Sequence, residues 1–434
     1  MIFQLRPDGT LGKGTKNVDK LQNKLSEELS GPLLFNYVWW ILKEAQERGF
    51  QTLYFLARDG CLLREIAQQF CTRFQLPVEC RYLYCSRASL RTPSYHLIGT
   101  EAHDLLLQGG YCVTLRSLLQ RAALSEEQQE QVCADCGFGQ IEWDRTLSRI
   151  ERAHICAVLR SSDVWNRFIQ EKSKNAYQFA VGYLAQEGLL ERREVVLVDS
   201  GWTGSMQRSM RQLLESAGFS GRLTGLYFGM YAAPKSEADG QYLTWYFDHT
   251  GRTADKILFC NNLFECLLSA PHGMTTGYIF RDGGYQPDCL PEPQGQQQIR
   301  EYMQLVLQYT ERRLRQTRFS EFHEERLKED TRKRIARYMA HPDAGEAAAW
   351  GRFLFCDDIT ETYHLPLADP GQLEYLKNYN VPLRVLRRIL KRPGKHPAQA
   401  LYWPYGTIAF LPRWKRPWYR WNIYIWEWIR YVLR

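Results

Sequence analysis

The chain has 434 residues, 44% of them apolar and 24% charged, values that rule out a disordered or fibrous protein and allow one large α/β domain with appendages. The formal charge is +8, yet residues 377–434 hold thirteen Lys/Arg against the single acid Glu427, so the remainder is net acidic. That distribution excludes a generally basic nucleic-acid binder and points to a specialised basic tail.

Residues 1–30 are polar and read as a loosely packed lead-in. GPLLFNYVWWILKEAQERGF (31–50) places apolar residues at helical spacing between Gly31-Pro32 and Gly49, which predicts a helix. TLYFLARDG (52–60) reads as a strand ending in a polar turn, CLLREIAQQFCTRF (61–74) as a helix and RYLYCSR (81–87) as a second strand. Residues 92–194 read as a mostly helical insertion with polar joints at LSEEQQEQ (124–131) and GFGQ (137–140). VVLV (195–198) is a third strand, MQRSMRQLLESAGF (206–219) a helix and GRLTGLYFGMYA (221–232) a fourth strand. Strands alternating with helices predict an α/β fold with an open, mainly parallel sheet. LFECLLSAPHGMTTGYIF (263–280) reads as helix, turn and strand. The expected layout is an α/β domain over 31–285, a helical region over 286–376 and a tail over 377–434.

Twelve cysteines are scattered, most within apolar runs, as expected of a reduced intracellular protein; Cys133 and Cys136 form one CxxC with no second pair at zinc spacing. No signal peptide and no bilayer-spanning run is expected.

In a parallel sheet the turns after the strands share one edge, where ligands bind. Here those turns are ARDG, CSRAS and DSGWTGS. In the last, Asp199 offers a hard oxygen ligand, and Ser200, Gly201, Thr203, Gly204 and Ser205 offer N–H and O–H donors before a helix start, a combination suited to a phosphate. Arg58 is suited to pair with a pyrophosphate, with Gly60 allowing close backbone approach and Arg87 as a second cation. Asp59 is a candidate magnesium ligand or general base, Asp199 a second metal ligand, Glu265 a further acid and His272 a weaker candidate.

The run of apolar strand, Asp199 and Thr203-Gly204-Ser205 before a helix resembles the 5-phosphoribosyl pyrophosphate loop of type I phosphoribosyltransferases. That loop usually has two adjacent acids; here Val198 precedes Asp199, and Met206 stands at its final Thr. The set YFLARDG, YLYCSRAS, VDSGWTGS and ECLLSAPHGMTTGY resembles the phosphoribosyltransferase-like domain of bacterial polysaccharide-assembly proteins, which is often joined to a haloacid-dehalogenase-type phosphatase. The resemblance covers residues 31–280. It implies a magnesium-dependent ribofuranosyltransferase that moves 5-phosphoribose onto a sugar hydroxyl of a lipid-linked glycan with inversion to a β-ribofuranose. A separate phosphatase partner is then needed, because no Asp-x-Asp-x-Thr motif occurs in the chain.

Two other enzyme readings compete. Asp199, Gly201 and Thr203 also fit the phosphate loop of actin-like sugar kinases, and Asp199 alone fits a haloacid-dehalogenase nucleophile, although Gly201 stands at its acid/base position. A non-catalytic membrane scaffold is the remaining class. The tail PRWKRPWYRWNIYIWEWIRYVLR (412–434) interleaves cations with aromatic rings and suits an anionic headgroup surface, with RRILKRPGKHP (387–397) extending it; the competing reading is a helix docked on the protein's own core. The expected location is the inner face of the cytoplasmic membrane.

Overall fold

The computed structural model describes residues 21 and 23–432, leaving out 109, 111, 112, 235, 294, 362, 363, 383 and 385–400. Its centre is a five-stranded, all-parallel sheet: β1 (Thr52–Leu56), β2 (Glu79–Leu83), β3 (Glu194–Trp202), β4 (Arg222–Met230) and β5 (Gln241–Phe247), in the order β2-β1-β3-β4-β5. The open α/β class expected from the sequence is therefore present. The edge strand β5 is an addition that the pattern of apolar runs did not pick out.

Alternation along each strand builds two cores. Leu53, Phe55, Val196, Val198, Leu226 and Phe228 face α1 (Gly31–Arg48) and α2 (Gly60–Phe74). Tyr54, Leu56, Val195, Leu197 and Leu223 face the other way, towards Ala180, Tyr183 and Leu184 of α4 (Asp163–Gln186) and Met210, Leu213 and Leu214 of α5 (Ser205–Ser216). A short helix, α3 (Arg87–Arg91), follows β2, with Ser86 as its cap. Helix α1 is buried nearly all round, including Trp39 and Trp40, as a central core helix must be. It begins beside Pro32 and stops at Gly49, as the sequence predicts.

The end of the lead-in departs from expectation. Leu25 and Leu29 are fully buried, because with Leu33 they repeat every four residues and prolong the buried face of α1. Residues 1–20 lie outside the described residues. The insertion is helical as expected and has its own core, around Leu106, Leu115, Leu118, Val132, Leu159 and Trp165. LSEEQQEQ, however, is a helix start rather than a joint. Ser125 accepts from the Gln128 N–H and Gln128 returns the bond to Ser125, a capping box that turns a polar run into the first turn of helix Glu126–Asp135.

Beyond the sheet come α6 (Asn261–Leu267), the antiparallel pair β6 (Thr275–Arg281) and β7 (Gly284–Cys289), α7 (Gln296–Arg315) and α8 (Glu324–Arg334). The core under α1 runs on through Ile299, Tyr302 and Val306 of α7 to Trp350, and ends on Leu401, Trp403, Ile408 and Ile423. The last of these belongs to α9 (Arg416–Val432). Part of the basic tail is thus docked on the body, as the competing reading of that segment had it. RRILKRPGKHP lies outside the described residues. No helix among the described residues is long and apolar enough to cross a membrane.

Candidate functional site

The strand order fixes where a ligand has room. From β1 the chain moves outward to β2, then returns past β1 to β3, so the direction of winding reverses between β1 and β3. The crossovers that leave these two strands lie on opposite faces and part at their carboxyl ends. Tyr54 pairs with Leu197 and Phe55 with Val198, which sets Arg58 and Asp59 beside residues 199–202. The Ser200 hydroxyl donates to the Asp59 carboxylate and ties the two strand ends together. The peptide joining Ala57 to Arg58 is cis.

One difference from the sequence reading concerns the phosphate loop. Strand β3 continues through Trp202, with Asp199 opposite Tyr227, Gly201 opposite Gly229 and Trp202 opposite Met230. Only Thr203 and Gly204 lie between strand and helix. Asp199, Ser200 and Gly201 are therefore held by the ladder, and Ser200 serves Asp59 instead of a loop. The two glycines answer to backbone shape and packing. At φ +109° a Cβ on Gly201 would stand 2.4 Å from the Gly229 carbonyl, and at φ +67° one on Gly204 would stand 2.4 Å from the Tyr242 ring.

Three carboxylates meet at this edge. Asp59, Asp199 and Glu265 are each half-buried, as cleft-lining groups are. Burial and the charge of Asp59 raise Glu265 to about 7, against the pull of Arg87, Arg58 and the Trp202 indole, which donates to Glu265 at 2.7 Å. Burial, then Asp59, then Glu265 drive Asp199 well above the carboxylate range, with the Ser200 and Gly201 N–H groups opposing. Asp59 is raised by burial, while Ser200, Arg58 and Arg87 draw it down. Beneath them the Tyr37 hydroxyl lies 2.7 Å from the Asp199 carbonyl and 2.9 Å from the Leu226 carbonyl, pinning β3 and β4 from α1. Two acids raised by burial and by the charge of a third, Asp59, beside two arginines form a site that gains from a bound cation or proton.

Arg58 is partnered by Glu361, whose carboxylate stands 2.6 Å away. Glu361 comes from far along the chain. The buried ion pair of Arg121 with Asp358 fixes its segment, and Asp358 in turn accepts from the Thr360 N–H and hydroxyl at 3.0 Å. Sequence reading missed Glu361, since no local pattern links it to Arg58.

It also missed Arg91. This arginine is 4% exposed and donates to the Ser205 hydroxyl, at 3.0 Å, on the first residue of α5. Its Nε has no partner, and no carboxylate among the described residues pairs with it. Burial, with the nearby charges of Arg87, Arg208 and Arg121, lowers it to about 10. The buried Tyr95 hydroxyl close by is likewise unpartnered. A desolvated cation with donors to spare, facing a helix N-terminus, is an anion site in waiting. The signal in the sequence was CSRASLR, whose second arginine comes one helical turn after Arg87.

The other candidates fall as follows. Gly60 opens α2, Thr203 and Arg87 are exposed, and Arg87 heads α3 on the same edge. His272 lies 2.8 Å from the Gly273 carbonyl through Nδ1 and 2.6 Å from the Tyr82 hydroxyl through Nε2, so both ring nitrogens are engaged; burial first lowers its pKa. The kinase alternative loses its hairpin, because β3 and β4 run parallel across α5. A hollow of about 970 Å³ opens at the opposite edge of the sheet beside Gln51, Thr52, Glu79 and Arg192. Its charges satisfy one another, Arg192 donating to Thr52 and Tyr54 and Arg81 to Glu79.

Among the described residues no three His, Cys, Asp or Glu side chains converge into a metal cage. The donors at this edge are carboxylate oxygens, the ligand type of which magnesium takes one or two while it fills its shell with water and substrate oxygens. No protein-family model matches the chain, and no curated protein is similar enough to count as a relative.

Proposed function

We propose that the chain transfers 5-phosphoribose from 5-phosphoribosyl pyrophosphate to a sugar hydroxyl of a lipid-linked bacterial glycan, capsule or O-antigen, and releases pyrophosphate. The observation that carries this reading is the pairing of two anion-seeking ends on one sheet edge: Arg58 and Arg87 beside the acids, and Arg91 under Ser205. A donor bearing phosphoryl groups at both C1 and C5 needs such a pair of ends with carboxylates between them.

In this reading Arg58, Gly60 and Arg87 take the pyrophosphate. Thr203, Gly204, Ser205 and Arg91 take the 5-phosphate, and Asp199 sits under the ribose. Asp59 and Asp199 would hold magnesium, which when bound supplies neutralising charge for the departing pyrophosphate. The acceptor O–H forms the new bond to C1 as the C1–O bond to pyrophosphate breaks and the electron pair leaves with it. The acceptor proton passes to a carboxylate. Glu265, raised to about 7, is the acid best matched to accept it near neutral pH. Attack opposite the α-pyrophosphate gives a β-ribofuranose, and a separate phosphatase removes the 5-phosphate.

Thermal melting of the full chain tests this. At a hundredfold excess over Kd the donor with magnesium adds about 2.7 kcal/mol to stability, a rise of several degrees for a chain of this size. ATP is expected to produce none, and Asp199→Ala and Arg58→Ala are each expected to abolish the rise. A parent-like response from both variants, or no release of pyrophosphate from labelled donor across a panel of lipid-linked and synthetic saccharides, overturns the proposal.

A further inference from the structure

Helix α9 has two unlike faces. One is seated on the body: Asn422 and Ile423 are buried, the Asn422 carboxamide accepts from the Val381 N–H at 2.9 Å, and the Trp426 ring lies 3.7 Å beneath the Arg384 guanidinium. The other carries tryptophans at intervals of four, three and seven, so that Trp418, Trp421 and Trp428 share a stripe that Trp414 extends. They are 48, 50, 42 and 78% exposed. Of the nine large apolar side chains exposed among the described residues, these four and Val432 fall on this one segment, while Leu97, Ile150, Phe280 and Leu290 are scattered singly. A contiguous patch of that kind marks a surface that something covers.

Charge and ring chemistry select the cover. Arg413, Trp414 and Lys415 are exposed together, the Lys415 ammonium lies 4.9 Å from the Trp414 ring, and Arg416 and Arg420 follow on the next turns. Against the thirteen cations of residues 377–434 there is one acid, Glu427, and it pairs with Arg430. A second copy of the chain would bring the same excess of positive charge to the contact and be repelled. An anionic lipid surface accepts both halves, with indole rings at the headgroup boundary and cations on phosphate.

We infer that α9 lies flat on an anionic bilayer surface and holds the protein there through its tryptophan stripe. The far end of the helix reaches the candidate site. Tyr431 stacks on Tyr231 at 5.9 Å, Tyr231 packs on Trp202 at 5.7 Å, and Trp202 donates to Glu265. The carboxyl edge of the sheet therefore stands close to the lipid. On the proposed glycosyltransfer, this is where a lipid-carried acceptor would arrive from the side.

The test is cosedimentation of the full chain with vesicles of phosphatidylcholine alone and of phosphatidylcholine with one-third phosphatidylglycerol, without donor or acceptor. At least tenfold stronger partitioning to the anionic vesicles is expected, weakening with salt and accompanied by a blue shift of tryptophan emission. Trp414→Ser, Trp418→Ser, Trp421→Ser and Trp428→Ser combined should lose that tenfold preference, as should Arg413→Gln with Lys415→Gln and Arg416→Gln. An unliganded Tm and far-UV circular dichroism like the parent's in both variants certify the fold without donor, which separates this result from the fate of the glycosyltransfer reading. Equal partitioning to both vesicle types, parent-like binding by either variant, or a stripe-dependent dimer that binds no vesicles overturns the inference.

Discussion

The two cationic corners of the cleft treat charge in opposite ways. Arg58 is answered by Glu361 and by neighbouring acids, so its corner is close to neutral and its guanidinium is already engaged. Arg91 has one hydroxyl, three other arginines nearby and no paired carboxylate among the described residues. The first corner holds its own stand-in for a ligand, and the second holds an uncancelled charge that a folded protein tolerates only at a cost in stability. A residue that breaks the usual rule of paired burial belongs to function more often than to architecture. The contrast suggests that a monoester phosphate is held tightly at the Arg91 corner while a larger anion exchanges with Glu361 at the other.

The sharpest way to break this contrast is Arg91→Met. Loss of a charge-assisted hydrogen bond of about 1.5–3 kcal/mol should weaken ribose 5-phosphate binding roughly 10- to 100-fold by calorimetry. Because the buried cation disappears, the unliganded variant should melt no lower than the parent. If ribose 5-phosphate binds the variant as well as the parent, the anion corner is wrongly assigned.

The acid corner offers a pH test of intermediate size. Glu265 is raised in the folded protein, so its contribution to stability is complete below the ordinary carboxylate range, near pH 4.5, and is lost as pH rises through about 7. Glu265→Gln removes that loss, and the difference in Tm between variant and parent should grow in the variant's favour from pH 5 to pH 8. Transfer by the parent should rise through the same interval, as the carboxylate becomes able to accept a proton. A Tm difference that stays flat with pH shows that Glu265 titrates normally.

The smallest effect is expected from Glu361→Gln. Freeing Arg58 from a half-buried partner should tighten pyrophosphate binding about threefold, the scale of a partly screened ion pair. Weaker binding in the variant would mean that Glu361 orients Arg58 instead of competing for it.

Much of this site could be read before any coordinates. The sheet class, the placing of Arg58-Asp59 and Asp199 on neighbouring strands, and a helix shortly after Gly204 all follow from local periodicity and from the shared edge of parallel strands. The rest depends on distance along the chain. Glu361 reaches Arg58 on a segment that Arg121 of the insertion also holds through Asp358, and a single sequence carries no trace of that meeting. Arg91 was passed over because an arginine in a short helix is ordinarily solvated, and only the packing of α3 against the start of α5 buries it. The continuation of β3 through Trp202 was hidden by glycines, which read as a turn until the pairing with Gly229 is seen. The opposite error befell LSEEQQEQ, where polarity outweighed a capping box.

The helical insertion also governs how the molecule is assembled. Strand β1 is made early, yet its central neighbour β3 is encoded on the far side of the insertion, so the hinge of the cleft closes only when that whole span has left the ribosome. A span that collapses around its own core brings its ends together and shortens the effective loop between the two strands. Weakening that core, far from any charge in the cleft, would then slow maturation of the protein on synthesis more than it disturbs the finished site.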